Sequence, residues 1–370
     1  MNVSSEPGYE PSYDITPIRT TANILWSLTA IIGIPANIFV LAAIVYFRDM
    51  RTISNIYIFN LAVADLLFLL GVPIVVFSQS ANGDWTLGVT MCKSFISGNA
   101  VSQFASAVFI AILSFDRFLA VCRPLTSSSL RTPQAAIALS ITAWAMVIFE
   151  TIPLMVFVDV VKINLGHHVK KTCILYLGEQ KYLDLSNDSD DEIETVEQNM
   201  MMSRRFFISY TFALSYLIPL IAVWYFYVKI ILKMCKRRRH TYLKRTATRK
   251  KTTKVTIMGL AIVISYTHCL LPFWLVQWFI ELNLFSGNPF ALVSVSHFAY
   301  ALQYINSAAN PFLYVFLSDS FKKNISKLMN STRSEKSVTN NLAEQTDSTK
   351  LLITRSKESS FVSAQQPPVL

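Results

Sequence analysis

Apolar positions along the chain gather into seven long runs, at about 23–47, 55–79, 92–122, 135–158, 206–234, 255–281 and 289–317. A helix that crosses a bilayer needs about 20 mostly apolar residues. Every run exceeds what a buried core helix requires, and turn or charge clusters such as Arg48-Asp49-Met50-Arg51 separate them. Pro35, Pro73, Pro153, Pro219, Pro272 and Pro311 lie inside runs. Spanning helices tolerate proline because neighbouring helices and Ser/Thr side chains satisfy the freed backbone groups. The pattern predicts an all-α membrane protein, a seven-transmembrane helix bundle over 23–317. Residues 1–22 are expected as an extracellular N-terminus, 318–329 as an amphipathic helix 8, and 330–370 as a disordered cytoplasmic tail.

Composition strengthens this reading. The 370 residues are 52% hydrophobic and 15% charged, against about 45–50% and about 25% in ordinary soluble domains. Five cysteines are too few for a disulfide framework. The net charge of +10 gains meaning from its location. With the N-terminus outside, the inner segments (48–52, 116–133, 229–254 and 318–370) carry 25 Lys/Arg and 7 Asp/Glu. The outer segments carry 8 and 14. Such asymmetry orients the chain in the plasma membrane with an extracellular N-terminus and cytoplasmic C-terminus, and it makes a nucleic-acid partner unnecessary. No basic stretch followed by an apolar core occupies the first 20 residues, so no cleaved signal peptide is expected. Asn2 and Asn187 begin glycosylation sequons on the outer side. Seven acids crowd an outer loop at 184–197, and twelve Lys/Arg crowd 229–254. No internal repeat of the transporter kind is visible.

Ionisable and amide groups inside a span are costly, which makes them functional candidates. Asn37 in the first span, Asp65 in the second, and Asn306, Ser307 and Asn310 in the seventh form the strongest constellation, with Ser106 of the third able to join. Asn306 and Asn310 are four apart and share a helix face. A carboxylate among amides and hydroxyls suits a sodium ion or a water cluster; the plainer alternative is interhelical hydrogen bonding. Glu150 in the fourth span has no evident partner.

Taken in order, Gly33-x-x-x-Asn37, Leu61-Ala62-Val63-Ala64-Asp65, Trp85-x-x-Gly88 with Cys92, Asp116-Arg117-Phe118, Trp144, Pro219 with Tyr227, Cys269-x-x-Pro272 and Asn310-Pro311-Phe312-Leu313-Tyr314 carry a resemblance. The chain resembles the class A (rhodopsin-like) G-protein-coupled receptors over roughly 23–329. The resemblance implies a switch in which Arg117 pairs with Asp116 at rest, while Tyr227 and Tyr314 close around Arg117 in the active state. It also implies a disulfide between Cys92 and Cys173. One departure stands out: Leu270 occupies the usual tryptophan position beside Pro272. Ligand sensing is then expected through Tyr266 or Phe273.

Asn99 stands where amine receptors of this family place an aspartate, and the seventh span holds no lysine for retinal. Asn99 and Gln103 are four apart and point together into the bundle. With Phe273, Trp274, Gln277, Gln303 and Tyr304, they resemble the somatostatin, opioid and allatostatin-C receptors. Asn99 favours the last of these, because the first two carry the aspartate. The implied function is a neuropeptide receptor that activates a heterotrimeric G protein of the Gi/o class, with no cofactor beyond an allosteric sodium ion. Thirteen Ser/Thr between Ser331 and Ser363 suggest receptor kinases and arrestin as further partners. A transporter or pump, or a class A receptor for a non-peptide ligand, is the alternative. An enzyme is disfavoured, because no nucleophile–base pair or His/Cys metal cluster is evident.

Overall fold

The structure is a computed structural model that describes residues 14–81, 83–164, 169–178, 182–184, 190–240, 247–282, 284, 289–317 and 321–324. Among these, helix α1 covers Thr16–Tyr46, α2 Ile53–Leu70, α3 Val72–Ser80, α4 Gly88–Cys122, α5 Pro124–Leu130 and α6 Pro133–Phe157. A hairpin of β1 (Val158–Asn164) and β2 (Val169–Leu175) follows, with β3 at Tyr182–Asp184. The remaining helices are α7 (Asp190–Phe212), α8 (Ile218–His240), α9 (Ala247–Glu281) and α10 (Pro289–Leu317). Residues 319–370 form a separate unit, of which only the helical turn 321–324 is described. The sequons at Asn2 and Asn187, the tail and the rest of helix 8 lie outside the described residues.

Among the described residues, six helical crossings are long and apolar enough to span a bilayer. The seventh, α10, has 29 residues and is more polar, since it carries Gln303, Asn306, Ser307 and Asn310. Large apolar side chains such as Ile31, Phe149, Phe298 and Phe316 face outward. That belt would be an anomaly in water and is the expected surface in lipid. Small, tightly buried residues such as Ala62, Ala64, Ala105 and Ala107 fill the interior, which allows close helix approach. At Gly33 a Cβ would press on Ala308 and Leu69 at 2.7 Å, so glycine lets α1 lie against α2 and α10.

Several boundaries differ from the hydrophobic pattern. The second crossing, expected as one run over 55–79, is broken at Gly71 into α2 and α3. Pro73 sits in the first turn of α3, where its missing N–H breaks no ladder bond. The fifth crossing, expected over 206–234, is a single helical rod from Asp190 to His240, interrupted by a π-turn at Ala213–Leu217. Its length is roughly 75 Å, far beyond the roughly 30 Å hydrocarbon core. Most of the acidic run therefore lies on a helix rather than in a loop. Hydropathy marks only the embedded part of a helix, and carboxylates at a helix N-terminus are favoured by its dipole.

The hairpin is antiparallel, pairing Val158 with Leu175 and Val160 with Cys173, and β3 adds in parallel beside β1. A disulfide joins Cys92 of α4 to Cys173. The segment before α4 grips the same strand, because Trp85 N donates to Lys171 O at 2.8 Å and Lys171 N donates to Asp84 Oδ1 at 2.7 Å. Together these ties hold the hairpin over one end of the bundle.

Candidate functional site

Beneath the hairpin lies a cavity of about 440 Å³, within the size range of ligand sites. Asn99, Gln103, Phe273, Gln277, Gln303 and Tyr304 all line it. No Asp, Glu, Lys or Arg is among the lining residues. The amides are linked across helices: Gln103 Nε2 donates to Gln303 Oε1 at 3.4 Å, and Gln277 Nε2 donates to the Tyr300 hydroxyl at 3.3 Å. Gln303 Nε2 is buried without a partner, as are the indole nitrogens of Trp26 and Trp274. The site thus offers unpaired N–H donors in apolar surroundings, a setting in which unmet hydrogen bonds are costly.

Sequence reasoning missed part of this wall. Trp26 of α1 stacks on His297 of α10 at 5.6 Å, and Tyr300 and Tyr304 pack against the same indole. In a hydropathy pattern these rings look like ordinary core. His297 is invisible there too, since only the contact with Trp26 marks it.

Aromatic rings lead from the cavity toward the bundle centre. Phe273 meets Trp274 at 4.9 Å, Trp274 meets Tyr216 at 6.4 Å, and Tyr216 meets Tyr266 at 5.8 Å. The Tyr266 hydroxyl donates to the Ser215 carbonyl within the π-turn, and the Tyr216 hydroxyl donates to Thr267 O at 3.1 Å. Leu270 is buried beside this path but supplies no ring. The contacts therefore run through Phe273, Trp274, Tyr216 and Tyr266, all contributed by α9 and the π-turn.

Asp65 is fully buried at the bundle centre. Asn310 Nδ2 donates to its Oδ2 at 2.8 Å, the Ser106 hydroxyl donates to Oδ1 at 3.4 Å, and Ser307 also hydrogen-bonds to it. Asn37 instead donates to the carbonyls of Gly33 and Ser307. Asn306 differs from expectation, since its Oδ1 accepts from Ser265 of α9 at 3.1 Å. Four residues turn a helix by about 400°, and the leftover 40° aims Asn306 at α9 and Asn310 at α2. The Oδ1 atoms of Asn37 and Asn310 are buried without partners. A carboxylate, hydroxyls and orphaned amide oxygens form a donor set that fits a small hard cation or ordered water.

At the end of the bundle opposite the hairpin, Asp116 and Arg117 of α4 are both buried. Arg117 bonds Asp116 and the Ser54 hydroxyl. Arg131, just past α5, adds a second guanidinium, its Nε 2.6 Å from Asp116 Oδ1. Ser54 donates to Asp116 Oδ2 at 3.1 Å. One buried carboxylate therefore answers two cations, an arrangement in which loss of the acid strands both. Ser54 and Arg131 were not legible in the sequence, where Arg131 counts only as orientation charge. Tyr227 of α8 is buried close to Arg117, and Tyr314 of α10 is also fully buried. Glu150 accepts a hydrogen bond at its backbone carbonyl, from the Tyr210 hydroxyl at 2.5 Å.

Comparison with known proteins agrees with this architecture. The family described as 7 transmembrane receptor (rhodopsin family) matches residues 36–314. The chain is 31% identical over 310 residues to a somatostatin receptor type 4 of Rattus norvegicus, covering 84% of this chain and 72% of the relative. It is 30% identical over 321 residues to a somatostatin receptor type 2 of Sus scrofa, covering 86% and 79%. A somatostatin receptor type 1 of Rattus norvegicus is 31% identical over 315 residues, covering 83% and 71%. With a family match across most of its length and about 30% identity to receptors over more than four fifths of it, the chain belongs to the rhodopsin family of seven-transmembrane receptors and is related to the somatostatin receptors.

Proposed function

We propose that the protein is a plasma-membrane receptor for a neuropeptide of the somatostatin or allatostatin-C kind, with its N-terminus outside, acting on a heterotrimeric G protein of the Gi/o class. The observation that carries this reading is the uncharged, amide-bearing cavity of about 440 Å³ beneath an anchored hairpin, in a chain similar to somatostatin receptors. Asn99, Gln103, Gln277 and Gln303 hold the carbonyls and amides of a peptide turn, with Phe273 and Tyr304 supplying apolar contact. Asn99 cannot bind a ligand ammonium as a carboxylate would, which favours the allatostatin-C side. Agonist shifts the population toward a state in which α9 moves away from α4 and opens a seat for a partner helix.

In this reading Arg117 is the coupling residue, held by Asp116 at rest and released toward the partner and toward Tyr227 and Tyr314. Asp65, Ser106, Ser307 and Asn310 would hold a sodium ion, whose positive charge balances the buried carboxylate in the resting state. The Ser/Thr-rich tail receives phosphates that recruit arrestin. The test is a peptide-library screen on transfected cells with cAMP and calcium readouts. A potent peptide agonist that lowers cAMP is the expected result. A potent amine or lipid agonist, with no active peptide, overturns the ligand assignment.

A further inference from the structure

Gly259 is the only glycine of α9, and it lies in the cytoplasmic half of that helix. Glycine in a helix interior is disfavoured against alanine, so a local reason is needed. The structure supplies one. A Cβ at 259 would collide with the hydroxyl of Tyr227 from α8, with Tyr227 Cζ at 3.5 Å and Arg117 Cγ at 3.8 Å. Tyr227 is 1% exposed, so within the closed bundle its ring has no solvent to retreat into. The backbone of α9, the ring from α8 and the coupling arginine of α4 therefore meet at one point, and they do so because residue 259 has no side chain.

We propose that Gly259 is a positioning residue for G-protein activation, the gap that lodges the Tyr227 hydroxyl and lets α9 close over Arg117. A methyl group there cannot coexist with this packing. Either Tyr227 leaves its place or α9 moves outward, and both dismantle the closed cytoplasmic end while leaving the outer cavity untouched. Added volume in a packed site is resisted strongly enough to move a two-state equilibrium measurably. The sign follows from which state contains the clash: the closed state is destabilised and the open one is not.

The inference rests on the reading of Arg117 as the coupling residue, and the two can fail separately. Arg117→Ala tests that reading alone; the cycle below tests Gly259. Wild type, Gly259→Ala, Tyr227→Phe and the double variant are expressed at matched surface density. Agonist-independent G-protein dissociation is then read with energy-transfer sensors covering every Gα class. Gly259→Ala should raise the basal signal about fivefold. In the Tyr227→Phe background, where the colliding oxygen is gone, the same alanine should add nothing. An unchanged or lowered basal signal in Gly259→Ala overturns the proposal. So does an equal rise in both backgrounds, which would mean that alanine acts through helix propensity. If Gly259→Ala fails to reach the surface, recovery of surface density in the double variant supports the steric argument, and its absence overturns it.

Discussion

The two ends of the bundle handle charge in opposite ways. At the end opposite the hairpin, Asp116 is buried against two arginines and a serine. At the outer end, a cavity lined by more than twenty residues contains no Asp, Glu, Lys or Arg. Buried ion pairs are poor sources of net stability, but breaking one is costly because the remaining partner stays charged and unpaired. That property suits a two-state switch. Neutral amides in an apolar wall cost less to keep unpaired and can meet many peptide groups. Under the proposed function, the charged end holds a state and the amide-lined end accepts the ligand.

The largest effect should come from removing the shared carboxylate. Asp116→Asn removes the carboxylate that pairs the buried Arg117 and the partly exposed Arg131, and basal signalling should rise about tenfold at equal surface density. An unchanged basal signal would mean the network is scaffolding and not a restraint. Next in size is the centre of the bundle. Asp65→Asn should abolish the dependence of agonist affinity on sodium concentration, measured with potassium as the ionic-strength control. Sodium sensitivity that survives the substitution removes the ion assignment.

At the outer end the effects should be smaller and should appear in binding kinetics. Gln103→Ala removes the donor to Gln303 Oε1 as well as the proposed ligand contact, so peptide dissociation should quicken about tenfold. The same off-rate in the variant would take Gln103 out of the site. Smaller still is steering by the acidic run. Neutralising Asp188, Asp190, Asp191, Glu192 and Glu194 should slow association of a cationic peptide severalfold and flatten its salt dependence, because screening acts over a Debye length of about 8 Å. An on-rate indifferent to both charge and salt would reduce the run to a solvated helix end.

The two ends also differed in how legible they were. Asp116-Arg117 and Asn310-Pro311 are contiguous in sequence, so the inner switch could be read as motifs. Arg131 could not, since its approach to Asp116 depends on the turn after α5. The six cavity residues came from helix spacing and family resemblance, whereas Trp26, His297 and Tyr300 are rings whose role depends on how α1 and α10 pack. The break at Gly71, the π-turn and the helical start at Asp190 escaped for a related reason. Hydropathy records depth in the membrane, while helix continuity is decided by backbone hydrogen bonds.

The separation of the two ends is the central claim, and one concentration–response experiment tests it. G-protein dissociation and peptide binding are measured on the same cells for Arg117→Ala and for the Asn99→Ala/Gln103→Ala pair. The outer pair should shift the response about tenfold or more to higher peptide concentration while keeping its maximum. Arg117→Ala should abolish the maximum while leaving binding affinity, measured with excess GTP, unchanged. A normal maximum in Arg117→Ala, or a loss of maximum without a shift in the outer pair, would contradict the account.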